Sequence, residues 1–453
     1  MHWNLSGIND AVSGTLQGED REIFGIATDS RADCKGALFI ALKGDNFDGH
    51  DYLAQAAAQG AAACLVERGT TVPETLPAIF VYDTNVALGK LAFAWRSKFN
   101  LPLIAITGSN GKTTTKEMIR AILEAAFGES AVLATQGNFN NAVGLPLTLL
   151  RLKPAHLAAV VEMGMNHPGE IGYLTRITAP TAALVTNAQR AHLAGLADVA
   201  AVAREKGDIY GGLAERGVAL INDDDDYAPL WRSINVRHPI VGFGFQHGST
   251  IAGQVSLNEN GSILALRTPL GGCRITLSVP GLHNAQDALA AASAAWAIGV
   301  DLETIAAGLA AFTGVKGRLQ RLMTPEGTLL FDDTYNANPD SVRAGLTVLA
   351  DQPQAQKIFV FGDMGEIGVS TRQRHAEVGK FAKNARISRL FCLGESARET
   401  ASAFGHGGAH FDDIDALIAA LRPLLNPDTA VLVKGSRFMK MERVVAALAP
   451  KGN

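Results

Sequence analysis

The segment that most constrains the fold is a short glycine-rich loop between a predicted strand and a predicted helix. The strand covers the apolar run Leu103–Thr107 and the helix covers Lys112–Ala126, so the chain turns abruptly from one to the other. The loop residues are Gly108, Ser109, Asn110, Gly111, Lys112, Thr113 and Thr114. Glycines let backbone N–H groups converge on phosphate oxygens, and the helix N-terminus adds positive potential. The sequence therefore predicts a nucleotide-phosphate site.

Strands and helices alternate around this loop, which is typical of parallel sheets covered by helices on both faces. Further strands of the same sheet are predicted at Ala131–Thr135, Leu157–Glu162, Ala182–Asn187 and Val218–Asn222. The stretch Ile251–Val279 differs, because two short β runs there indicate a side meander. A second alternating series begins near Val315.

With 453 residues, the chain is too long for one ordinary core. We predict an α/β protein of three domains. They are a small N-terminal α/β domain (residues 1–84), a central P-loop domain with a parallel sheet (85–314) and a Rossmann-like C-terminal α/β domain (315–453).

Composition limits the setting and the partners. The net charge of −4 leaves no global positive field to recruit nucleic acid. The cysteines are isolated, which favours a reducing compartment over disulfides or a structural zinc site: Cys34, Cys64, Cys273 and Cys392. No apolar run reaches the roughly 18 residues of a membrane span, and the N-terminus lacks the features of a signal peptide. We therefore expect a cytoplasmic protein that neither binds nucleic acid nor inserts into a membrane.

The loop predicts ATP chemistry with a divalent cation. Lys112 is placed to reach the β- and γ-phosphates, and the Thr113 hydroxyl is placed to ligate Mg²⁺. The spacing G-x-x-G-K-T is shorter than the usual G-x-x-x-x-G-K-[ST], because Ile106 stands where the longer loop has glycine. An ordinary capped strand–turn–helix is the alternative. The order of the glycines, lysine and threonine after a strand favours the phosphate loop.

Three further residues are candidates for the reaction centre, and each has a plainer alternative. Glu162 ends a predicted strand, where its carboxylate suits Mg²⁺ or a loop salt bridge. His192 is either a metal ligand or a structural histidine. A helical lysine such as Lys206 is normally solvated, whereas a desolvated one loses its proton and can react with CO₂. The acidic run Asp223–Asp226 indicates a solvated loop cap rather than a cation site.

Residues Ile104–Thr114, which read IAITGSNGKTT, resemble the nucleotide loop of Mur ligases and folylpolyglutamate synthases. Segments 28–31, 36–42 and 48–50 resemble the UDP-binding domain of Mur ligases, which the synthases lack. Thr135–Asn141 resembles a Mur ligase loop that meets the UDP-muramoyl substrate. The resemblance covers the whole chain and implies a ligase of cell-wall synthesis that activates a carboxylate with ATP.

The resemblance also implies roles for individual residues. Its catalytic set is Lys112, Glu162, His192, Lys206 and Arg318. It implies ATP contacts for loop residues 108–114 together with Asn284 on the adenine side, Arg318 and Asp333. The Mg²⁺ ligands it implies are Thr113, Glu162, His192 and Lys206, the last as a carbamate.

The substrates follow from the same resemblance. The stretch Asp332–Pro339 reads DDTYNANP, unlike the D-Y-A-H-x-P of ligases that add the third residue. It resembles the family branch that joins D-alanyl-D-alanine to UDP-N-acetylmuramoyl-tripeptide and so makes the peptidoglycan precursor pentapeptide. The implied substrate contacts are Ser30, Arg31, Lys43, Asn138, Asn140, Asn141, Asn336, Asn338 and Lys434. We expect a monomer whose third domain swings onto the second, with hinges near Asn85 and Val315.

Three alternatives remain open at this stage. A ligase that adds a diamino acid would share the nucleotide loop and differ at Asp332–Pro339. A P-loop switch or transport ATPase would cleave ATP without a UDP-linked peptide. A non-catalytic nucleotide-binding scaffold would tolerate alanine at Lys112 and Glu162.

Overall fold

The computed structural model describes residues 1–44, 46–190, 198–246, 248–258 and 261–449. Within these residues, three large sheets follow one another along the chain and define an N-terminal, a central and a C-terminal unit. The α/β class predicted from the sequence is confirmed. In this part of the chain, no helix is both long enough and apolar enough to cross a membrane.

The N-terminal unit contains a five-stranded sheet and a two-stranded ribbon. Its elements are β1 (Trp3–Asn4), α1 (Leu5–Val12), β2 (Thr15–Gln17), β3 (Glu22–Ile23), β4 (Ile26–Ala27), β5 (Leu38–Ile40), α2 (Leu53–Ala58), β6 (Ala63–Glu67) and β7 (Ala78–Val81). The sheet order is β2-β7-β6-β5-β4, and only β2 is antiparallel to its neighbour. Strands β1 and β3 pair antiparallel.

The central unit contains a nine-stranded sheet. Its elements are α3 (Thr84–Arg96), β8 (Leu103–Thr107), α4 (Lys112–Phe127), β9 (Val132–Ala134), α5 (Gly144–Leu149), β10 (Ala158–Glu162), α6 (Glu170–Thr178), β11 (Ala182–Val185), α7 (Val199–Gly207), β12 (Val218–Asn222), α8 (Ala228–Ile234), β13 (Ile240–Gly244), β14 (Ile251–Asn258), β15 (Gly261–Thr268), β16 (Gly271–Leu277), α9 (Leu282–Ala297) and α10 (Leu302–Ala311). The sheet order is β16-β15-β14-β13-β12-β11-β8-β10-β9.

The strand order places the predicted site at a reversal of the sheet. β8 lies between β10 and β11, and all three are parallel. From β8 the chain builds the sheet first towards β9 and β10 and then away from them towards β11. In open α/β sheets, ligands bind outside the carboxyl ends of the strands at such a reversal. The nucleotide loop, Glu162 and the segment after β11 all leave the sheet at this edge.

The C-terminal unit contains a six-stranded sheet in the order β17-β18-β22-β19-β20-β21, in which β17 alone is antiparallel to its neighbour. Its elements are β17 (Gln320–Met323), β18 (Leu329–Asp333), α11 (Pro339–Ala350), β19 (Gln356–Gly362), α12 (Thr371–Asn384), β20 (Arg389–Leu393), α13 (Ala397–Phe404), β21 (Gly408–Phe411), α14 (Ile414–Leu421), β22 (Thr429–Lys434) and α15 (Glu442–Leu448). The reversal here lies at β22, which separates β18 from β19.

Apolar packing joins the first two units. Buried residues of α1, such as Leu5 and Ile8, belong to the same core as Leu88 and Leu91 of α3 and Leu103 of β8. Helix α3 therefore contributes to a core shared by both sheets. Its N-terminus is capped by Asp83, whose carboxylate accepts from the N–H of Val86.

Two local predictions need correction. Residues Ile251–Val279 do not form a side meander of two β runs. They form the three strands β14, β15 and β16, and β14 pairs in parallel with β13, so they extend the main sheet. The helix predicted at Val199–Leu213 ends at Gly207 and continues as a 3₁₀ turn over Asp208–Gly212.

Candidate active site

The carboxyl edge of the central sheet and the C-terminal unit enclose a cleft of about 860 Å³. The nucleotide loop, the start of α9, the start of α11 and the loop after β18 all line it. Most of the residues predicted from the sequence are among its lining residues: Ser109, Asn110, Gly111, Lys112, Thr113, Thr114, Asn138, Asn140, Asn141, Glu162, Asn284, Arg318, Asp333, Asn336, Asn338 and Lys434.

The two glycines of the loop are required by geometry. Gly108 has φ +152°, and a Cβ there would lie 1.8 Å from Oγ1 of Thr186. Gly111 has φ +81°, and a Cβ there would lie 2.1 Å from Oδ1 of Asp287. Residues with a Cβ atom rarely adopt these φ angles, and the two contacts leave no space for a Cβ atom. The loop therefore packs its backbone directly against β11 and α9.

Hydrogen bonds to the segment after β11 fix the loop. The N–H of Ser109 donates to the carbonyl of Asn187 at 2.9 Å, and the N–H of Asn110 donates to Oδ1 of Asn187 at 3.0 Å. The Thr186 hydroxyl donates to the carbonyl of Asn110 at 2.6 Å. The N–H of Gln189 donates to Oγ of Ser109 at 2.9 Å. The nucleotide loop and residues 186–189 thus form one connected structure.

Lys112 begins α4 and lies against its own loop. Its Nζ donates to the carbonyl oxygens of Gly108 at 2.7 Å and Ser109 at 3.4 Å. Burial lowers the pKa of Lys112, Arg318 lowers it further, and Glu162 opposes the shift. A desolvated cation held in a glycine loop at a helix N-terminus is suited to bind phosphate oxygens.

A buried carboxylate lies directly beside the loop. Oε2 of Glu162 accepts from the Thr113 hydroxyl at 2.7 Å, and its Oε1 accepts from Nδ2 of Asn140 at 2.8 Å. The Thr113 hydroxyl also accepts from an Nη atom of Arg318 at 2.8 Å. Glu162 and Thr113 therefore present adjacent hard oxygen ligands, which suit Mg²⁺. No cluster of three or more His, Cys, Asp or Glu side chains that could hold a metal occurs among the described residues.

The side of the cleft that belongs to the C-terminal unit is organised by a buried ion pair. Nζ of Lys434 donates to Oδ2 of Asp333 at 2.6 Å and to the carbonyl of Asn336 at 3.0 Å. Burial raises the pKa of Asp333, although Lys434 and Arg318 oppose the shift. The Arg318 guanidinium lies 4.2 Å from the centre of the Tyr335 ring. These contacts fix the loop after β18 at the cleft.

Lys206 is deeply buried on α7 and is not among the residues that line the cleft. Burial lowers its pKa well below the ordinary value, Lys112 lowers it further, and Glu205 opposes the shift. The carboxylate of Glu205 is engaged elsewhere, because it accepts from the N–H of Gly169 at 2.8 Å. Lys206 therefore has the environment of a neutral amine.

Sequence reasoning missed Asp287 on α9. It is buried, lines the cleft beside Gly111, and its Oδ1 accepts from the Thr115 hydroxyl at 3.1 Å. Burial raises the pKa of Asp287 to about 8, although Thr115 and Arg318 oppose the shift. The available signal was its spacing, since Asp287 follows Asn284 by three residues in an otherwise alanine-rich helix. Asn284 itself donates from Nδ2 to the carbonyl of Pro280 at 2.7 Å.

Comparison with known proteins gives three family matches along the chain. The Mur ligase family catalytic domain matches residues 22–96, the Mur ligase middle domain matches 106–295, and the Mur ligase glutamate ligase domain matches 317–437. The UDP-N-acetylmuramoyl-tripeptide–D-alanyl-D-alanine ligase of Escherichia coli K12 is 41% identical over 452 residues, covering 99% of this chain and 98% of that protein.

The chain belongs to the Mur ligase family.

Solved structures agree with this membership. A crystal structure of MurF from Acinetobacter baumannii superposes with a TM-score of 0.92 at 35% identity and covers 98% of both chains. MurF ligase from Thermotoga maritima in complex with ADP superposes with a TM-score of 0.81 at 26% identity, covering 93% of this chain and 96% of that one. The three-domain Mur ligase architecture predicted from the sequence is confirmed.

The remaining predicted residues of this Mur ligase lie apart from the cleft or outside the described residues. Ser30 is buried in the N-terminal unit, where its hydroxyl donates to Oε1 of Gln55 at 3.1 Å. Arg31 forms three hydrogen bonds to Asp29, two from its guanidinium and one from its backbone N–H, and they hold the pKa of that carboxyl at about 2. Nζ of Lys43 lies 3.9 Å from Oδ2 of Asp48. His192 falls in the segment 191–197, outside the described residues.

The acidic run of this Mur ligase caps loops as expected, but it is not fully solvated, because Asp224 and Asp225 are half-buried and line the cleft. Oδ2 of Asp224 accepts from the N–H of Phe245 at 2.7 Å, and Oδ2 of Asp225 accepts from the N–H of Ala188 at 2.8 Å. Because Ala188 lies in the segment that holds the nucleotide loop, Asp225 contributes indirectly to the order of the site.

Proposed function

We propose that this chain is an ATP-dependent ligase that joins D-alanyl-D-alanine to UDP-N-acetylmuramoyl-tripeptide through an acyl phosphate. The observation that carries the proposal is the cleft itself. It combines a phosphate loop, a buried carboxylate beside that loop and an Asp–Lys pair from the C-terminal unit. The relatives named UDP-N-acetylmuramoyl-tripeptide–D-alanyl-D-alanine ligase align over nearly the whole chain, and this supports proposing the same reaction for this chain.

The main electrostatic task of this reaction is to bring two anions together. The terminal carboxylate of the tripeptide attacks the γ-phosphorus of ATP, and ADP leaves. Lys112 bonds to the loop carbonyl of Gly108 and Arg318 bonds to Thr113, so both cations are placed to stabilise the charge on the transferred phosphoryl group. The amine of the dipeptide then attacks the acyl carbon, and a C–N bond forms as the C–O bond to phosphate breaks.

Mg²⁺ fits the oxygen ligands beside the loop. We propose Thr113, Glu162 and His192 as ligands of Mg²⁺. The fourth proposed ligand is a carbamate on Lys206, because a buried neutral amine reacts with CO₂. Mg²⁺ held there neutralises phosphate charge. In this scheme Asn140 keeps the Glu162 carboxylate oriented through its hydrogen bond to Oε1.

The three substrates divide among the three units. We propose that residues 1–84 hold the UDP end through Ser30, Arg31 and Lys43. Residues 85–314 hold ATP through the nucleotide loop and Asn284, and Asp333 of the following unit also contacts ATP. Residues 315–453 hold the dipeptide, with contacts from Asn336, Asn338 and Lys434. The loop that carries Asn138, Asn140 and Asn141 lines the cleft, and we propose that it binds the muramoyl peptide.

The setting is proposed on the same basis. A nucleotide-linked peptide, ATP and isolated reduced cysteines are compatible with the cytoplasm, where we place the enzyme as a monomer. Its product is the UDP-muramoyl-pentapeptide precursor of peptidoglycan.

The test is phosphate release by purified enzyme with ATP, Mg²⁺ and UDP-muramoyl-tripeptide, with and without D-alanyl-D-alanine. We expect rapid release and a new pentapeptide only when the dipeptide is present. Release that is supported by a diamino acid and a UDP-dipeptide would assign the chain to the other ligase branch. ATP turnover without any UDP-linked peptide would favour a switch or transport ATPase.

A further inference from the structure

The start of α11 is fastened to the central unit at two neighbouring points. Asn338 caps this helix by accepting from the N–H of Ser341 at 2.9 Å, and its Nδ2 donates to Oδ1 of Asn110 in the nucleotide loop at 2.7 Å. Asp340, two residues further on, binds Arg190 in the segment after β11. Both contacts join residues of the C-terminal unit to the edge that holds the phosphate loop.

The Arg190–Asp340 pair has the geometry of a specific contact. The backbone N–H of Arg190 donates to Oδ2 of Asp340 at 3.0 Å, and its Nε lies 3.2 Å from Oδ1 and 3.1 Å from Oδ2. An Nη atom of the same guanidinium also donates to Oδ1. Only 25% of the Arg190 side chain and 21% of the Asp340 side chain is exposed. Planar, multiply bonded Arg–carboxylate pairs fix orientation as well as distance.

Two other charged side chains lie near the Arg190–Asp340 pair, but neither takes the place of a partner in it. Arg343 on α11 faces Asp340, and Glu377 on α12 lies 4.0 Å from Arg190. Glu377 is itself paired with Arg374 at 2.8 Å. Burial alone would raise the pKa of Asp340, but the hydrogen bonds and charge of Arg190 hold it below its ordinary value. Asp340 is therefore ionised and bound to Arg190 at neutral pH.

We propose that Arg190 and Asp340 are positioning residues that hold the C-terminal unit against the nucleotide loop while the acyl phosphate exists. This inference rests on the proposed function. In the productive step, the dipeptide amine attacks the acyl carbon, phosphate leaves with the bridging oxygen, and the amine loses a proton. If water attacks that carbon instead, the carboxylate is regenerated and phosphate is released, so that ATP is hydrolysed without formation of an amide bond. Holding the two units together excludes water and presents the amine.

The Arg190–Asp340 pair is linked to the nucleotide loop through the residue that precedes Arg190. Arg190 directly follows Gln189, whose N–H donates to Ser109 and whose Oε1 accepts from Nδ2 of Asn110 at 2.6 Å. The start of α11 is therefore connected to the phosphate loop by two routes, directly through Asn338 and Asn110 and indirectly through Asp340, Arg190 and Gln189. The pair joins positions 150 residues apart in sequence, and each residue lines the active-site cleft.

The experiment measures phosphate released per amide bond formed, at saturating substrates, for Asp340→Asn, Arg190→Met and the double variant. We expect about one phosphate per bond for the parent enzyme. Each single variant should raise dipeptide-independent phosphate release about tenfold, and the double variant should be no worse than either single, because the pair acts as a unit. The exchanged variant, Arg190→Asp with Asp340→Arg, should recover part of the coupling.

The matched control is Asp412→Asn, which removes a carboxylate whose partner Arg398 lies in the same unit. It should keep the parent ratio. Thermal unfolding of each variant identifies loss of fold separately. If both single variants keep one phosphate per bond, or lose phosphate release and bond formation in parallel, the proposal is overturned. A parent enzyme that makes no bond at all would instead contradict the proposed function.

Discussion

The carboxyl of Asp287 is buried between α9 and the phosphate loop, and its burial predicts how the free energy of unfolding changes with pH. Oδ1 accepts from Thr115 and lies close to Gly111. Burial raises its pKa from the ordinary 3.8 to about 8, although Thr115 and Arg318 oppose the shift. In the unfolded chain the carboxyl ionises near pH 4, whereas in the folded chain it keeps its proton to about pH 8. Asp287→Asn keeps the shape and the acceptor for Thr115 and removes the titration.

The sign and size of the effect follow from proton linkage. Between pH 4 and pH 8 the folded state binds a proton that the unfolded state lacks, so stability falls as pH rises, by about 1.4 kcal/mol per pH unit. From pH 5 to pH 7 the parent enzyme should therefore lose about 3 kcal/mol of unfolding free energy that the Asp287→Asn variant does not lose. The variant should match the parent near pH 4 and exceed it by about 4 kcal/mol at pH 7.

The assay is urea unfolding followed by tryptophan fluorescence at several pH values. All four tryptophans lie in the first two units, so the signal reports the part of the molecule that holds Asp287: Trp3, Trp95, Trp231 and Trp296. Asp10→Asn makes the same substitution at an exposed position and serves as the control. If Asp287→Asn and the parent lose stability with the same slope between pH 5 and pH 7, the argument for a buried, protonated Asp287 is wrong.

Three further predictions concern the loop and its neighbours. Lys112→Met should lower kcat/KM for ATP by about 10²- to 10³-fold with the fold intact, because a preorganised cation beside the phosphates is lost; steady-state kinetics and circular dichroism check both parts. Gly108→Ala should abolish detectable ATP binding in calorimetry, because the new Cβ meets Thr186 and the backbone is strained at φ +152°. Unchanged affinity would refute that packing. Lys206→Ala should be inactive and recover activity with added short carboxylic acids, whereas a rescue by amines alone would rule out the carbamate.

The central sheet could be predicted because its strands carry continuous apolar runs that end at polar residues. The strand Leu103–Thr107 was placed at its observed bounds, and Glu162 was placed at the end of β10. β13 was missed because Ile240–Gly244 contains two glycines, which lower strand propensity. The meander was misassigned because the hydrogen bonds that join β14 to β13 have no signature in the sequence of either strand.

The candidate site was predictable where its residues carry local patterns, and less so where they meet only in the folded chain. The glycine loop, Lys112 and Thr113 form one contiguous motif. Asp287 gave a weak signal, since acidic residues in helices are usually solvated. Arg190 and Asp340 gave none, because their contact depends on how two sheets pack.

If ATP phosphorylates the tripeptide carboxylate in this cleft, one oxygen of that carboxylate is transferred to the released phosphate. UDP-muramoyl-tripeptide labelled with ¹⁸O in its terminal carboxylate is converted with ATP and D-alanyl-D-alanine, and the released phosphate is analysed by mass spectrometry. We expect one ¹⁸O in the phosphate for each amide bond, carried over as the bridging oxygen of the acyl phosphate. Unlabelled phosphate from a reaction that yields pentapeptide would contradict it.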